Sequence, residues 1–131
     1  MATDFSALMP FAAHCGITIG SATPEEVQGE LAWGAGLCTT NGVVHGGALM
    51  TLADTVGAIC AFLNLPPGAS TATIESKTNF FRPLTTGRAR AVARPLNVGK
   101  SIIAVQTDIR DDGDRRVALV TQTQAVIAPR G

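Results

Sequence analysis

The chain has 131 residues, of which 46 % are hydrophobic and 15 % are charged, and its formal net charge at pH 7 is zero. This length suits one domain with a modest core, and the balanced charge excludes the basic surface that binds nucleic acid or anionic membranes. Because charges are few for a small domain, we expect part of the surface to be buried in an oligomer. The predicted domain spans residues 1–131, with residues 1–13 as an N-terminal helix or arm.

Cysteine usage and the first residues favour a cytoplasmic location. Cys15, Cys38 and Cys60 are odd in number and form no Cys-x-x-Cys pair, so we expect reduced, buried thiols. The segment Met-Ala-Thr-Asp-Phe at the start has neither the basic charge nor the long apolar run of a signal peptide. Two histidines far apart in sequence and a single buried Asp predict no metal site.

The N-terminal part of the chain predicts a helix and a hairpin. Residues 4–13 favour a short helix with Asp4 as its N-cap. Residues 17–33 favour a β-hairpin that turns near Pro24, because apolar and polar residues alternate on both sides of that proline. One face of the second strand would carry Val27, Gly29, Leu31 and Trp33.

Residues 41–63 combine a glycine-flanked turn with one long apolar helix. The spacing of its large apolar residues is helical, and the opposite side carries small residues rather than charges, which is typical of a buried helix. The run 46–63 could span a membrane by length, but its Asp54, its glycines and its place among strands argue against that. The predicted apolar face is Leu49, Leu52, Ala53, Val56, Ile59, Cys60 and Leu63. The predicted opposite side is Ala48, Thr51, Thr55, Ala58 and Ala61.

Asp54 is the only charged residue of this predicted helix. Its neighbours one turn away, Met50, Thr51, Gly57 and Ala58, cannot pair with a carboxylate. A buried carboxylate without a partner is energetically costly, and such groups concentrate at functional sites. The alternative is an Asp that caps or hydrogen-bonds a loop elsewhere in the fold.

The rest of the chain predicts strands. Four segments alternate or are rich in β-branched residues: 70–82, 87–96, 101–110 and 115–127. Asp112-Gly113 and the segment 97–100 are typical of hairpin turns, and such short connections imply antiparallel pairing. The sequence therefore predicts an α+β fold in which one long central helix is wrapped by a curved antiparallel sheet of about five or six strands.

Two motifs resemble those of the hotdog-fold acyl-CoA thioesterases, in particular the phenylacetate-pathway (PaaI-like) type. They are Val44-His-Gly-Gly-Ala-Leu-Met-Thr-Leu-Ala-Asp54 and Thr73-Ile-Glu-Ser-Lys-Thr-Asn-Phe-Phe-Arg-Pro83, and the resemblance extends over about residues 12–127. It implies a helix wrapped by a sheet and two subunits that join their sheets edge to edge. It also implies that such dimers often pair into a homotetramer.

The resemblance implies a catalytic role for Asp54, as general base or as nucleophile. It also implies that the backbone N–H of Gly46 polarises the thioester carbonyl, which fits the partial positive charge of a helix N-terminus. The two residues are eight positions apart on one helix, or about 12 Å along its axis, so one thioester carbon cannot reach both. We therefore expect active sites shared between two subunits and an inactive monomer.

Auxiliary roles are implied for His45, Thr73 and Asn41. His45 matches a histidine near the substrate, although it would serve equally well by bonding a backbone group that shapes the turn. Thr73 matches a position near the acid, where a hydroxyl orients the attacking water. The alternative is that Thr73 has no catalytic role and is present because threonine is favoured in strands. Many relatives carry Asn or Gln at the position of Thr39, so either Asn41 compensates or the water and carbonyl are held differently here.

Coenzyme A phosphates require cations, and the leading candidates are Arg82 and Lys100. The turn Gly99-Lys100-Ser101 resembles the one that contacts the nucleotide in the family. Coenzyme A is then part of the substrate, and no separate cofactor is expected because the chain has no phosphate-binding or dinucleotide motif. Expected partners are an acyl-CoA and further copies of the chain, with no nucleic acid and no membrane.

The function expected from these observations is hydrolysis of an acyl-CoA to a free acid and coenzyme A. Met50, Phe62, Phe80 and Phe81 suit an aromatic or medium-chain acyl group. One alternative is a non-catalytic module that binds or senses acyl-CoA. The other is a hydratase or dehydratase on the same fold, which usually needs a His paired with an acid in a different motif.

Overall fold

The computed structural model describes residues 5–130, and of residue 6 the backbone only. It contains three α-helices, α1 (Phe5–Leu8), α2 (Pro10–His14) and α3 (Gly46–Leu63), and two short 3-10 turns at Ala35–Leu37 and Thr40–Gly42. The strands are β1 (Thr18–Ala22), β2 (Val27–Ala32), β3 (Ser70–Phe80), β4 (Arg88–Val98), β5 (Ile102–Arg110) and β6 (Arg116–Ile127).

The N-terminal segment forms two short helices, so the prediction of one helix over 4–13 was wrong. The chain leaves the helical conformation at Met9 (φ −130°, ψ 76°), and Pro10 begins α2. Proline disfavours a helical residue before it and supplies no N–H, so it starts a helix readily and interrupts one already begun. Asp4, the predicted N-cap, lies outside the described residues.

The six strands form one antiparallel sheet in the order β1-β2-β4-β5-β6-β3. The sheet wraps α3, which contacts all six strands. The predicted fold class, strand positions and antiparallel pairing are therefore confirmed. The hairpin predicted over 17–33 is also present, with its turn closed by backbone hydrogen bonds between Thr23 and Glu26.

Small residues on the inner face of the sheet let α3 approach closely. Ala89, Ala91 and Ala93 of β4 face the core and are at most 1 % exposed. On β2, a Cβ at Gly29 would lie 2.6 Å from Cγ1 of Val56 on α3, so only glycine fits. Gly29 is paired with Ala91 and so extends the row of small residues from β4 to β2. At this point α3 packs closely against the backbone of β2.

The buried residues of α3 include most of the predicted apolar face and also residues outside it. Thr55 and Ala61, predicted on the opposite side, are also buried because the sheet covers more than one face of the helix. The Thr55 hydroxyl is satisfied there by the Thr51 carbonyl at 2.7 Å, while Leu63 is half-buried. By length and composition α3 could cross a membrane, but half of its residues are buried within the fold, where it is the core helix.

One prediction of detail needs correction. Trp33 lies beyond the end of β2, is 37 % exposed and donates from Nε1 to the Gly42 carbonyl at 2.8 Å. It therefore does not extend the buried face of that strand. The β5–β6 hairpin turn predicted from the Asp112-Gly113 pair is present, and its left-handed residue is Asp114 (φ 61°).

Candidate active site

The N-terminus of α3 leaves one backbone N–H free. His45 caps the helix: its Nδ1 accepts from the Gly47 N–H at 2.8 Å, and its carbonyl accepts from Ala48 and Leu49 at 2.9 and 3.3 Å. Within residues 5–130 the Gly46 N–H makes no hydrogen bond. The capping geometry matches the alternative considered for His45. It leaves Gly46 as the donor that a developing oxyanion can use at the positive end of the helix.

Gly46 lines a largely apolar depression of about 350 Å³. The ring of Phe80 lies against this glycine, and an added Cβ would be 3.0 Å from ring atom Cζ. Thr39 and Arg82 also line the depression, and Arg82 is exposed. An apolar wall with one cation at its rim suits a thioester attached to a charged carrier.

Asp54 is exposed in the single chain, so the prediction of a buried, unpaired carboxylate was wrong. Its Oδ1 accepts from the Thr73 hydroxyl at 2.7 Å and from Gln122 Nε2 at 3.1 Å. Helical spacing could not show these donors because both come from strands far along the chain. In the described part of the chain no hydrogen bond reaches Oδ2, which leaves this oxygen available to a water or a substrate.

A second buried amide supports Thr73. Gln124 is fully buried and donates from Nε2 to the Thr73 hydroxyl oxygen at 2.7 Å. Because the Thr73 hydroxyl oxygen accepts from Gln124, the hydroxyl hydrogen is directed to Oδ1 of Asp54. Sequence reasoning missed Gln122 and Gln124. The sequence did contain a signal for them. Both glutamines lie on the face of β6 that also carries Ala118 and Val120, and that face is buried in the core.

Among residues 5–130, Gly46 and Asp54 line different depressions. Asp54 lines a different one, of about 410 Å³, together with Thr51, Thr55 and residues of α2. Eight helical positions separate the two residues, or about 12 Å along the axis. The candidate residues therefore form two separate groups: Gly46 with Phe80 and Arg82, named the Gly46 half, and Asp54 with its donors, named the Asp54 half.

Asn41 lies outside both halves. It is exposed and left-handed (φ 62°), and it is followed by a left-handed Gly42 (φ 68°). Asparagine tolerates this conformation better than most residues, so Asn41 suits the turn that leads into the cap of α3. Thr39 rather than Asn41 borders the Gly46 depression.

The two cationic candidates lie at opposite ends of the sheet. Arg82 follows the end of β3, whereas the turn 99–101 lies in register with the beginning of that strand through β4, β5 and β6. The eight residue steps from Ala72 to Phe80 span about 26 Å. Lys100 and Ser101 are exposed, and a Cβ at Gly99 would lie 2.8 Å from the Ile102 carbonyl oxygen.

The cysteines are free and differ in exposure. Cys60 is buried, as predicted, and burial raises the pKa of its thiol to about 11. Cys15 and Cys38 are only half-buried, so the prediction of three buried thiols was wrong for these two. A thiol that stays protonated at neutral pH is a poor nucleophile, so Cys60 acts as a small core residue. Within residues 5–130 no three His, Cys, Asp or Glu side chains are grouped as a metal site would require.

Comparison with known proteins identifies the family. The profile of the thioesterase superfamily matches residues 41–118, a span that contains Gly46, Asp54 and Thr73. Proofreading thioesterase EntH of Klebsiella pneumoniae is 27 % identical over 115 residues, which cover 88 % of this chain and 84 % of that protein.

Solved structures agree with this assignment. A thioesterase from Haemophilus influenzae is 26 % identical with a TM-score of 0.88, covering 98 % of this chain and 93 % of its own. The PaaI protein from the E. coli phenylacetic acid degradation operon is 23 % identical with a TM-score of 0.86, covering 95 % of this chain and 89 % of its own, and supports the fold alone. The chain therefore belongs to the thioesterase superfamily and is a thioester hydrolase with the hotdog fold.

Proposed function

We propose that this protein hydrolyses acyl-CoA thioesters to a free acid and coenzyme A, in sites that two chains build together. Asp54 of one chain and the Gly46 N–H of the other act on the same thioester. The observation that carries the proposal is the division of the site: a free carboxylate oxygen and a free helix N–H lie on one helix, about 12 Å apart and in separate depressions.

The edge strand β3 supports the pairing of two chains. It is eleven residues long, and nearly all of its side chains are exposed, including Ile74 at 59 % and Phe80 at 49 %. Long, exposed edge strands pair with other strands unless they are covered. A second β3 running antiparallel would cover this edge and join the two sheets.

The register of that pairing follows from the site. Thr73 lies beside Asp54 and Phe80 beside Gly46. A bulge between Thr73 and Glu75 keeps both Thr73 and Phe80 on the helix side, opposite Gln124 and Ala118 of β6. With that extra residue, a two-fold axis at Lys77 places Thr73 opposite Phe80 of the partner subunit. Asp54 then comes across from Gly46 of the partner subunit.

In such a site, the carbonyl oxygen of the thioester accepts from the Gly46 N–H of one chain. Oδ2 of Asp54 from the other chain takes a proton from water, whose oxygen bonds to the carbonyl carbon. The C–S bond then breaks, and the thiolate of coenzyme A leaves and takes up a proton. Attack by the carboxylate itself, followed by hydrolysis of the anhydride, uses the same two groups.

The same two-fold axis unites the candidates for coenzyme A binding. Arg82 borders the Gly46 half, and the turn Gly99-Lys100-Ser101 lies at the end of the sheet that carries Thr73. In a paired site Arg82 of one chain and Lys100 of the other flank one thioester. They would hold different phosphates of a single coenzyme A.

The acyl group fits a narrow apolar depression of about 200 Å³ next to the Asp54 half. Ala58 lies one helical turn after Asp54, and Phe62 lies one turn further. The other lining residues come from α1, from the segment that follows it and from β3: Phe5, Leu8, Met9 and Thr71, with Ile59 of α3. This size and lining suit an aromatic or medium-chain acyl group.

The assembly is a homodimer or a pair of dimers in a homotetramer, and the compartment is the cytoplasm. The resemblance to the family supports the tetramer. Three free cysteines support a reducing compartment.

The test is thiol release from acyl-CoAs with aromatic and aliphatic groups, measured for wild type and for Asp54→Asn. We expect release by the wild type and a loss of orders of magnitude in the variant. Asp114→Asn is the matched control, because it makes the same chemical change at a side chain that is 88 % exposed. An Asp54→Asn variant with full turnover would contradict the proposal. Absence of release with intact coenzyme A binding would instead support a binding module.

A further inference from the structure

Gln122 reaches Asp54 from the buried face of β6. The residue is 1 % exposed, and its Nε2 donates to Oδ1 of the carboxylate at 3.1 Å. Its own Oε1 is buried and has no hydrogen-bond partner among the described residues. The preceding inward positions of this strand, Ala118 and Val120, are apolar, and an apolar residue would be expected to follow them at 122. Two buried amides, Gln122 and Gln124, stand there instead.

The amide of Gln122 occupies the space where Gly57 lacks a side chain. A Cβ at position 57 would overlap Oε1 and Cδ of this amide. Gly57 lies in the middle of α3, where glycine destabilises a helix relative to alanine. Two unfavourable choices, a glycine within a helix and a half-satisfied buried amide, therefore occur together. The amide that fills the space beside Gly57 is the one that donates to Asp54. Local departures from the stable choice concentrate at functional sites.

The contact determines which carboxylate oxygen is free. Gln122 and Thr73 both donate to Oδ1, and neither reaches Oδ2. A carboxylate held on one oxygen by two donors cannot exchange its oxygens by rotation without breaking both bonds. Gln124 adds to this, because its donation to the Thr73 hydroxyl oxygen directs the Thr73 proton to Asp54.

We propose that Gln122 is a positioning residue for Asp54, and that Gly57 is required because it lets the amide reach the carboxylate. The inference rests on the proposed catalytic role of Asp54. Gln122 does not touch the substrate. It acts by holding Oδ1, so that Oδ2 stays aligned with the water or the thioester carbon.

The main test is Gln122→Met, which keeps the length of the side chain and removes the donor. We expect kcat to fall about 10-fold to 100-fold, with KM changed by less than about 2-fold, because only alignment is lost. The melting temperature should stay the same or rise, since an unsatisfied buried carbonyl is removed. A merely structural role predicts the reverse: unchanged kcat, with any effect confined to stability.

Gly57→Ala tests the same contact from the helix. Its Cβ should displace the amide and reproduce the loss in kcat, and adding Gly57→Ala to Gln122→Met should cause little further loss. A Gly57→Ala protein with a higher melting temperature and wild-type kcat would overturn the inference. Circular dichroism of each variant shows whether the folded state is retained.

Double variants separate this inference from the proposed function. In Asp54→Asn, the residual thiol release should not fall further when Gln122→Met is added. If Asp54→Asn alone retains full turnover, the catalytic role of Asp54 fails. If Asp54→Asn abolishes turnover but Gln122→Met leaves kcat unchanged, only the positioning role of Gln122 fails.

Discussion

Thr73 on the edge strand and Asp54 on the core helix are joined by a 2.7 Å hydrogen bond from the hydroxyl to Oδ1. The bond connects residues 19 positions apart, and it ties the carboxylate to the strand on which we expect two chains to meet. The acid is therefore held by the same strand that we propose as the subunit interface.

The Thr73 hydroxyl can be tested with two substitutions of similar size. Thr73→Val keeps the branched shape suited to a strand but removes the donor, and we expect kcat to fall about 10-fold or more. Thr73→Ser keeps the hydroxyl and should retain most of the activity. Steady-state kinetics on the best acyl-CoA distinguishes them, and equal kcat in both variants would exclude a role for the hydroxyl.

The Gly46 N–H can be removed without breaking the helix. Proline is favoured at the first helical position, and His45 already has the extended conformation that precedes proline (φ −59°, ψ 134°). Gly46→Pro should raise the barrier by about 2.7–4 kcal/mol, the usual effect of losing one oxyanion donor. Gly46→Ala is the control, because it adds the same Cβ near Phe80 and keeps the N–H. If the two variants have the same kcat, the steric contact rather than the donor explains the loss.

Shared sites predict complementation between two inactive proteins. Asp54→Asn and Gly46→Pro homodimers each lack one essential group at every site. After unfolding and refolding together, half of the dimers should be mixed, and each mixed dimer has one intact site. Turnover per chain should then recover to about one quarter of the wild-type value. A site contained within one chain predicts no recovery at any mixing ratio.

The register of the interface can be tested with a single cysteine. Lys77→Cys places a thiol on the proposed two-fold axis, so oxidation should give a disulfide-linked dimer. Glu75→Cys is the matched control on the same face of β3. Its two copies would be about 13 Å apart along the strand, too far for a disulfide. Non-reducing electrophoresis shows the outcome, and efficient linkage through position 75 would require a different register.

An ion-pair cluster on the outer face of the sheet should make stability depend on pH. Burial tends to raise the pKa of Asp108, but hydrogen bonds from Arg116 and Arg110, each at 2.9 Å, hold it below its ordinary value. A lowered folded-state pKa contributes stability above the unfolded value, near 3.9. That contribution is lost as the pH falls through the folded value.

Asp108→Asn should therefore lower the free energy of unfolding at neutral pH. The expected loss is only about 1 kcal/mol, because the side chains of these ion pairs are partly exposed. The difference from wild type should shrink as the pH falls below the ordinary carboxyl pKa, near 3.9, and through the lowered folded-state pKa of Asp108, because the wild-type carboxylate then becomes protonated. Urea denaturation at neutral pH and along this acid range measures the difference. An Asp108→Asn variant with the same deficit at low pH would mean that packing, not charge, is responsible.

The fold was predictable because its local signals agree. Helical spacing in 46–63 and alternation in the strands each match the elements observed, and the turns at 97–100 and 111–115 use residues that favour turns. The N-terminal helix was less predictable because Pro10 both ends one helix and begins another. Local rules indicate such a break but do not show that the chain is helical on both sides of it.

The site was predictable only in part. Asp54 and Gly46 belong to one contiguous motif, so the sequence indicates both. Thr73 was indicated only by its match to the family. Gln122 and Gln124 are linked to Asp54 and Thr73 through the pairing of β6 with β3, which depends on strand order and on a bulge. No local pattern contains that information, and the same non-local bonds explain why the expected unpaired carboxylate has two donors.

The overlap between a side chain at position 57 and the amide at 122 has an evolutionary consequence. Neither residue can change freely while the other stays, because any side chain at 57 expels the glutamine. Lineages that place Ala or Ser at 57 should carry a shorter or apolar residue at 122 and hold their acid by another donor. The two positions, 65 residues apart, should therefore vary together across related sequences, although neither belongs to the motif that marks the family.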